Sequence, residues 1–132
     1  MNYKTQDVAK ACLAATDGRG VDRIVEVDFA ANAALDFAAV CTEGEIVVYG
    51  SGAAEVAVPF FPAIIKNVSV RFYIVYNLNA HDRARAQASL NAFLESNTLT
   101  HNIAAELPLD QIVQAHELVE RGEVMGNVVV KV

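Results

Sequence analysis

The 132-residue sequence contains no glycine-rich phosphate loop, although two β-branched segments that read as buried parallel strands are present. Without that loop, no helix N-terminus in the chain is prepared to cradle a pyrophosphate. Positive charge is also scarce. The formal net charge is −6, which excludes a general phosphate-backbone binder and therefore a nucleic-acid partner. The acidic residues are scattered and serve solubility rather than forming a tail. No apolar run reaches the roughly 18 residues that a membrane helix needs. No apolar segment of a signal peptide follows Met1, so a cytoplasmic protein is expected.

Cysteine is scarce as well. Cys12 and Cys41 are far apart, show no C-x-x-C spacing, and fall on apolar faces expected to be helical. They read as buried free thiols, since free cysteine behaves as a small hydrophobe. His81, His101 and His116 do not fall at metal spacing. His81 and His101 read as solvated loop residues, and His116 as packing beside the apolar face of its helix. No H-E-x-x-H motif and no Ser/His/Asp set supports zinc or nucleophilic chemistry.

What is abundant is apolar. Hydrophobic residues make up 54% of the chain, high for a soluble domain. An excised piece with bare faces, or an oligomer, would show such a value. The apolar pattern alternates between two periods. Val8, Ala11, Cys12 and Ala15 form a helical stripe that Thr5 or Asp7 can cap. Residues 17–20 stop it, and residues 21–27 read as a strand. Ala31, Leu35, Ala38 and Ala39 form the next stripe, followed by a strand over residues 45–49. A short helix through Ile64 and Ile65 precedes a long third strand from Val68 to Tyr76. Asp82 caps a helix with Ala86, Leu90, Phe93 and Leu94 on one face. A weak strand over 101–107, an amphipathic helix over 109–121 ended by Gly122, and a strand over 127–132 complete the chain. This alternation predicts an α/β fold: a mainly parallel sheet with helices on both faces, three layers in all.

In open parallel sheets ligands sit where the strands end, because the connecting loops part there. The first such end carries Asp28, Phe29 and Ala30. The second carries Tyr49, Gly50 and Ser51, with Gly52 beyond. The third carries Tyr73, Ile74 and Val75. Gly50 and Gly52 allow a backbone to approach a flat ligand, although on spacing alone a plain turn is the stronger reading. Asp28 suits either a ribose hydroxyl or a helix cap, and the cap is the stronger reading. Glu26 lies among valines and must point to an edge or have a partner; a general acid is the weaker option there. No catalytic residue is assigned.

Residues 16–27, 44–51, 107–117 and 126–130, in that order and spacing, resemble the medium-chain dehydrogenase/reductase superfamily, and within it the quinone oxidoreductase branch. The resemblance covers essentially the whole chain. It implies the second half of a Rossmann domain, strands four to six plus the C-terminal strands, with residues 102–132 as a tail that packs toward a catalytic domain. It implies that Asp28, Phe29, Ala30, Tyr49, Gly50, Ser51, Tyr73, Ile74 and Val75 border an NADP or NAD cofactor. Hydride transfer to a quinone or activated alkene is then the activity of a full-length protein, with this portion inactive and not binding the cofactor tightly by itself. Asn127 stands where the family usually has lysine. A zinc-dependent alcohol dehydrogenase half and a non-enzymatic dimerising or assembly module are the alternatives. The stretch 68–76, an apolar edge without proline, would template further pairing, and a homodimer through it is expected.

Overall fold

The computed structural model describes residues 1–132. Contacts divide the chain into two units, Met1–Asn79 and Ala80–Val132. Both are mixed α/β with parallel strands, the expected class.

The first unit runs α1 (Val8–Ala15), β1 (Val21–Glu26), α2 (Phe29–Ala39), β2 (Val40–Val48), α3 (Phe60–Ile65) and β3 (Ser69–Phe72). Its sheet has the order β1-β2-β3, parallel throughout. Asp7 caps α1 by accepting from the Lys10 amide at 3.0 Å. Gly20, at φ +91°, turns the chain into β1 where a Cβ would strike the Ala39 carbonyl.

Helix α2 buries Phe29, Ala33, Asp36, Phe37 and Ala39. The expected stripe of Ala31, Leu35, Ala38 and Ala39 is therefore rotated, and Ala31 and Ala38 are exposed. A face rich in alanine carries little apolar bias, so the two phenylalanines decide which side turns inward. Phe29 and Phe37 pack on Val40, Ile46 and Val48, with Ile24 and Val70 at the margin. Each buried phenylalanine contributes about 1.5–3 kcal/mol. The C-terminus of α2 is held from outside its own sequence. Lys66 Nζ donates to the carbonyls of Phe37 (2.8 Å), Ala38 (3.3 Å) and Val40 (2.8 Å).

Strand β2 starts earlier than residue 45. Val40 pairs with Val21, the register then slips, and Glu45 pairs with Arg23. The extra residues loop out at Glu43, which has φ +60°, and the Glu43 amide is held by the Lys66 carbonyl at 2.7 Å. Cys41 is thus a buried strand residue, not a helical one, while Cys12 is half-buried on α1; both are free. On the sheet face away from α2, Glu45 bridges Arg23 at 2.7 Å and Arg71 at 3.0 Å, so one ion-pair ladder crosses all three strands.

The long third strand expected over Val68 to Tyr76 is not formed. Strand β3 has 4 residues, and Val75–Asn77 is a 3₁₀ turn. The ladder with β2 ends at Val48 opposite Phe72. One further bond follows, from the Tyr73 amide to the Val48 carbonyl at 3.0 Å, and the chain then enters the 3₁₀ turn instead of continuing the ladder.

The second unit runs α4 (Ala80–Glu95), β4 (Ile103–Pro108), α5 (Ile112–Arg121) and β5 (Asn127–Lys131), with β4 and β5 parallel. Asp82 lies within the first turn of α4 rather than capping it. Leu90, Phe93 and Leu94 on α4 are exposed. A 3₁₀ turn, Leu109–Gln111, leads into α5, and Gly122 ends it at φ +61°. His116 is exposed, contrary to the packed position expected for it; Ala115 is the buried residue of that helix.

Candidate functional site

The three carboxyl ends of β1, β2 and β3 meet at one edge of the first unit's sheet, because parallel pairing in register brings them there. Backbone hydrogen bonds continue past the strands and tie the ends together. The Tyr49 amide donates to the Glu26 carbonyl at 3.0 Å, Tyr73 to Val48 at 3.0 Å, and Phe29 to Gly50 at 3.1 Å. Gly50 is required at this closure, since a Cβ there would be driven into the Val27 carbonyl oxygen.

A cavity of about 610 Å³ opens at these ends. Of the expected site residues, Phe29, Tyr49, Gly50, Ser51, Tyr73 and Ile74 line it, whereas Asp28, Ala30 and Val75 do not. Its base is apolar: Phe29 is buried and meets Phe72 edge-on, ring centroids 5.7 Å apart. Tyr49 and Tyr73 stand half-exposed with ring centroids 6.1 Å apart. The loop after β2 adds Ala53, Val56 and Val58, small and β-branched residues whose spacing carried no signal of a wall.

Asp28 does not cap α2 with its side chain. Its Oδ1 accepts from the Gly52 amide at 2.8 Å instead. Ser51 Oγ donates to the Ala53 carbonyl at 2.8 Å, so the rim from Ser51 to Ala53 is a fixed turn. Beneath the rim, Glu26 is buried at the end of β1. It has partners, one of the two readings left open for it. Its Oε1 accepts from the Asp28 amide and from Asn32 Nδ2, the latter at 3.1 Å. Asp36, 1% exposed, faces it from α2. Burial, together with the neighbouring Glu26 carboxylate, pushes the Asp36 carboxyl up to about 7. Sequence reasoning missed Asp36. The available signal was Phe29 and Phe37, two helical turns apart, which place residue 36 on the inward face.

The model of the zinc-binding dehydrogenase family matches residues 1–130. The chain belongs to that family. Its resemblance to the medium-chain dehydrogenase/reductase superfamily is thereby borne out. Among solved structures, an NAD-dependent alcohol dehydrogenase is 25% identical with a TM-score of 0.78, over 99% of this chain and 37% of its own. A quinone oxidoreductase from Pseudomonas syringae pv. Tomato DC3000 is 21% identical with a TM-score of 0.76, over 98% of this chain and 41% of its own. A mycobacterial protein complexed with NADPH is 18% identical with a TM-score of 0.75, over 98% of this chain and 42% of its own. The last two likenesses concern the fold alone. No curated protein matches the sequence. The chain thus spans a little over a third of the dehydrogenase structures it resembles.

Zinc in this family needs several Cys, His or acidic ligands converging on one point. No group of three or more such residues occurs in the chain. These residues therefore do not fit a zinc site. No helix is long and apolar enough to cross a membrane.

Proposed function

We propose that the chain forms the nicotinamide-facing part of the cofactor site of an NAD(P)H-dependent oxidoreductase of the quinone reductase type, acting in the cytoplasm. The observation that carries this is the crevice at the ends of three adjacent parallel strands, walled by aromatic and small residues and free of a side chain at Gly50. A planar ring fits between an apolar floor at Phe29 and the tyrosines Tyr49 and Tyr73. Backbone groups of the rim can bind a carboxamide without any charged side chain.

The nicotinamide, when bound, supplies the hydride; the protein supplies orientation and exclusion of water. Phe29 and Val48 keep the base of the crevice dry, and the Asp28–Gly52 bond holds its rim. Asp28 is occupied by that bond, so its part is to shape the rim rather than to grip a ribose. Ala30 and Val75, outside the cavity, are proposed to border the cofactor only more distantly. A homodimer through the outer edge of β3 accompanies this reading.

The test is a calorimetric titration of NADPH and NADH against this chain and against a longer chain that carries a glycine-rich loop upstream. Binding by the longer chain alone, weakened by Tyr49→Ala and Tyr73→Ala, is the expected result. Absence of binding by both chains would overturn the reading and favour a non-enzymatic assembly module.

A further inference from the structure

Two carboxyl groups are buried in the first unit outside the crevice lining: Glu26 at the end of β1, and Asp36 on α2, one helical turn beyond the Asn32 that donates to Glu26. Glu26 is 6% exposed and Asp36 is 1% exposed. Their hydrogen bonding is unequal. Glu26 accepts from two N–H groups, those of Asp28 and Asn32. Asp36 receives none, and its Oδ2 is buried without a hydrogen-bond partner. Two like charges in a dry site cannot both persist at close range, so one proton is shared between such groups. Glu26 is thus occupied by N–H donors, whereas the buried, partnerless Oδ2 of Asp36 is the position that a proton would satisfy. A protonated Asp36 can donate to Glu26 and so satisfies both groups.

This pair is linked to the crevice by a short covalent and hydrogen-bonded path. Glu26 holds the Asp28 backbone amide. The Asp28 side chain holds the Gly52 amide at 2.8 Å. Gly52 is the centre of the rim turn from Ser51 to Ala53. Other charges near α2 are already committed. Lys66, at the end of α3, is bound to three carbonyls at the C-terminus of α2. On α1, Lys10 pairs with Asp7, and Cys12 is a half-buried thiol. On β2, Glu45 is engaged by Arg23 and Arg71, and Cys41 lies against Asp22. Arg19 is paired with Asp22 at the start of β1. None of these supplies Asp36 with a counter-ion.

We propose that Glu26 and Asp36 form a proton-held latch: while they share one proton, Glu26 fixes Asp28, and Asp28 in turn fixes the Gly52 rim of the crevice. Loss of the proton sets two buried carboxylates against each other, and the rim is released. Glu26, Asp36 and Asp28 are positioning residues. The consequence of the latch for a bound nucleotide rests on the function proposed above; the latch itself does not.

The experiment follows the backbone amides of Asp28 and Gly52 and the side-chain amide of Asn32 by ¹H–¹⁵N NMR, without nucleotide, from about pH 5 to about pH 9. All three should move together with one midpoint near neutrality. In Asp36→Asn the carboxamide donates to Glu26 at every pH, and the three signals should stay at their low-pH positions. In Asp28→Ala the amide of residue 28 should still titrate, while Gly52 should not. A flat Gly52 signal in the unaltered chain, or a titration that survives Asp36→Asn, would overturn the proposal. Because no nucleotide is present, failure of the cofactor reading leaves this test intact.

Discussion

Replacing Gly50 by alanine tests whether the close approach of β1 and β2 builds the crevice. A Cβ on Gly50 would lie far inside 3.0 Å of the Val27 carbonyl oxygen, with the Val27 carbonyl carbon at 3.3 Å. The clash is with backbone, so no side-chain rotamer relieves it. Overpacking of this kind costs about 1–3 kcal/mol. Separating the strand ends also stretches the bond from the Phe29 amide to the Gly50 carbonyl, now 3.1 Å, worth about 1 kcal/mol. Gly50→Ala should therefore destabilise the chain by about 2–4 kcal/mol and lower the thermal midpoint by on the order of 10 °C. Gly52→Ala is the internal control. Its Cβ would meet only the Asp28 carboxylate, at 3.3 and 3.4 Å, and a side chain can yield; the expected change is below about 1 kcal/mol. Thermal unfolding followed by circular dichroism measures both. If the two variants unfold at the same temperature, the argument for a backbone-limited closure is wrong.

Asp36 makes stability depend on pH with an unusual sign. Its carboxyl rises from an ordinary 3.8 to about 7 on folding, so the folded chain holds the proton more tightly; stability is lost as pH rises from about 4 to about 7. Urea unfolding should show Asp36→Asn gaining on the parent by about 3 kcal/mol between pH 5 and pH 8, and a constant difference would contradict the shared proton. Lys66→Met removes the cation that closes the C-terminus of α2 and should cost about 1–3 kcal/mol in the same assay; a loss under about 0.5 kcal/mol would show that solvent satisfies those carbonyls equally well. For the edge of β3, sedimentation velocity at tens of micromolar should give a dimer, and Val70→Pro should give a monomer by removing a ladder donor. A monomeric parent would rule the edge out as an interface.

The element types were legible along most of the chain because hydrophobic periodicity is a local property. Both parallel strands β1 and β2 were readable, as were the helices around them and the clustering of strand ends. Six of the nine expected site residues share one cavity for that reason. The rest depended on distant partners. Val75 has strand propensity but lies in a 3₁₀ turn past the end of the β2–β3 ladder, outside the cavity lining. Asp28 looks like a helix cap, yet Gly52, brought close by the β1–β2 pairing, is the amide it binds. Asp36 reads as an ordinary helical acid until the rotation of α2 turns it inward.

From the order of residues alone came the α/β alternation, the missing phosphate loop and the small-residue strand ends, since each reflects short-range chemistry. Tertiary structure alone decided where β3 stops, which face of α2 is buried, and that Glu26 and Asp36 meet. A strand exists only as far as its ladder partner extends, and a carboxyl group holds a proton at neutral pH only where packing removes water and supplies a second acid.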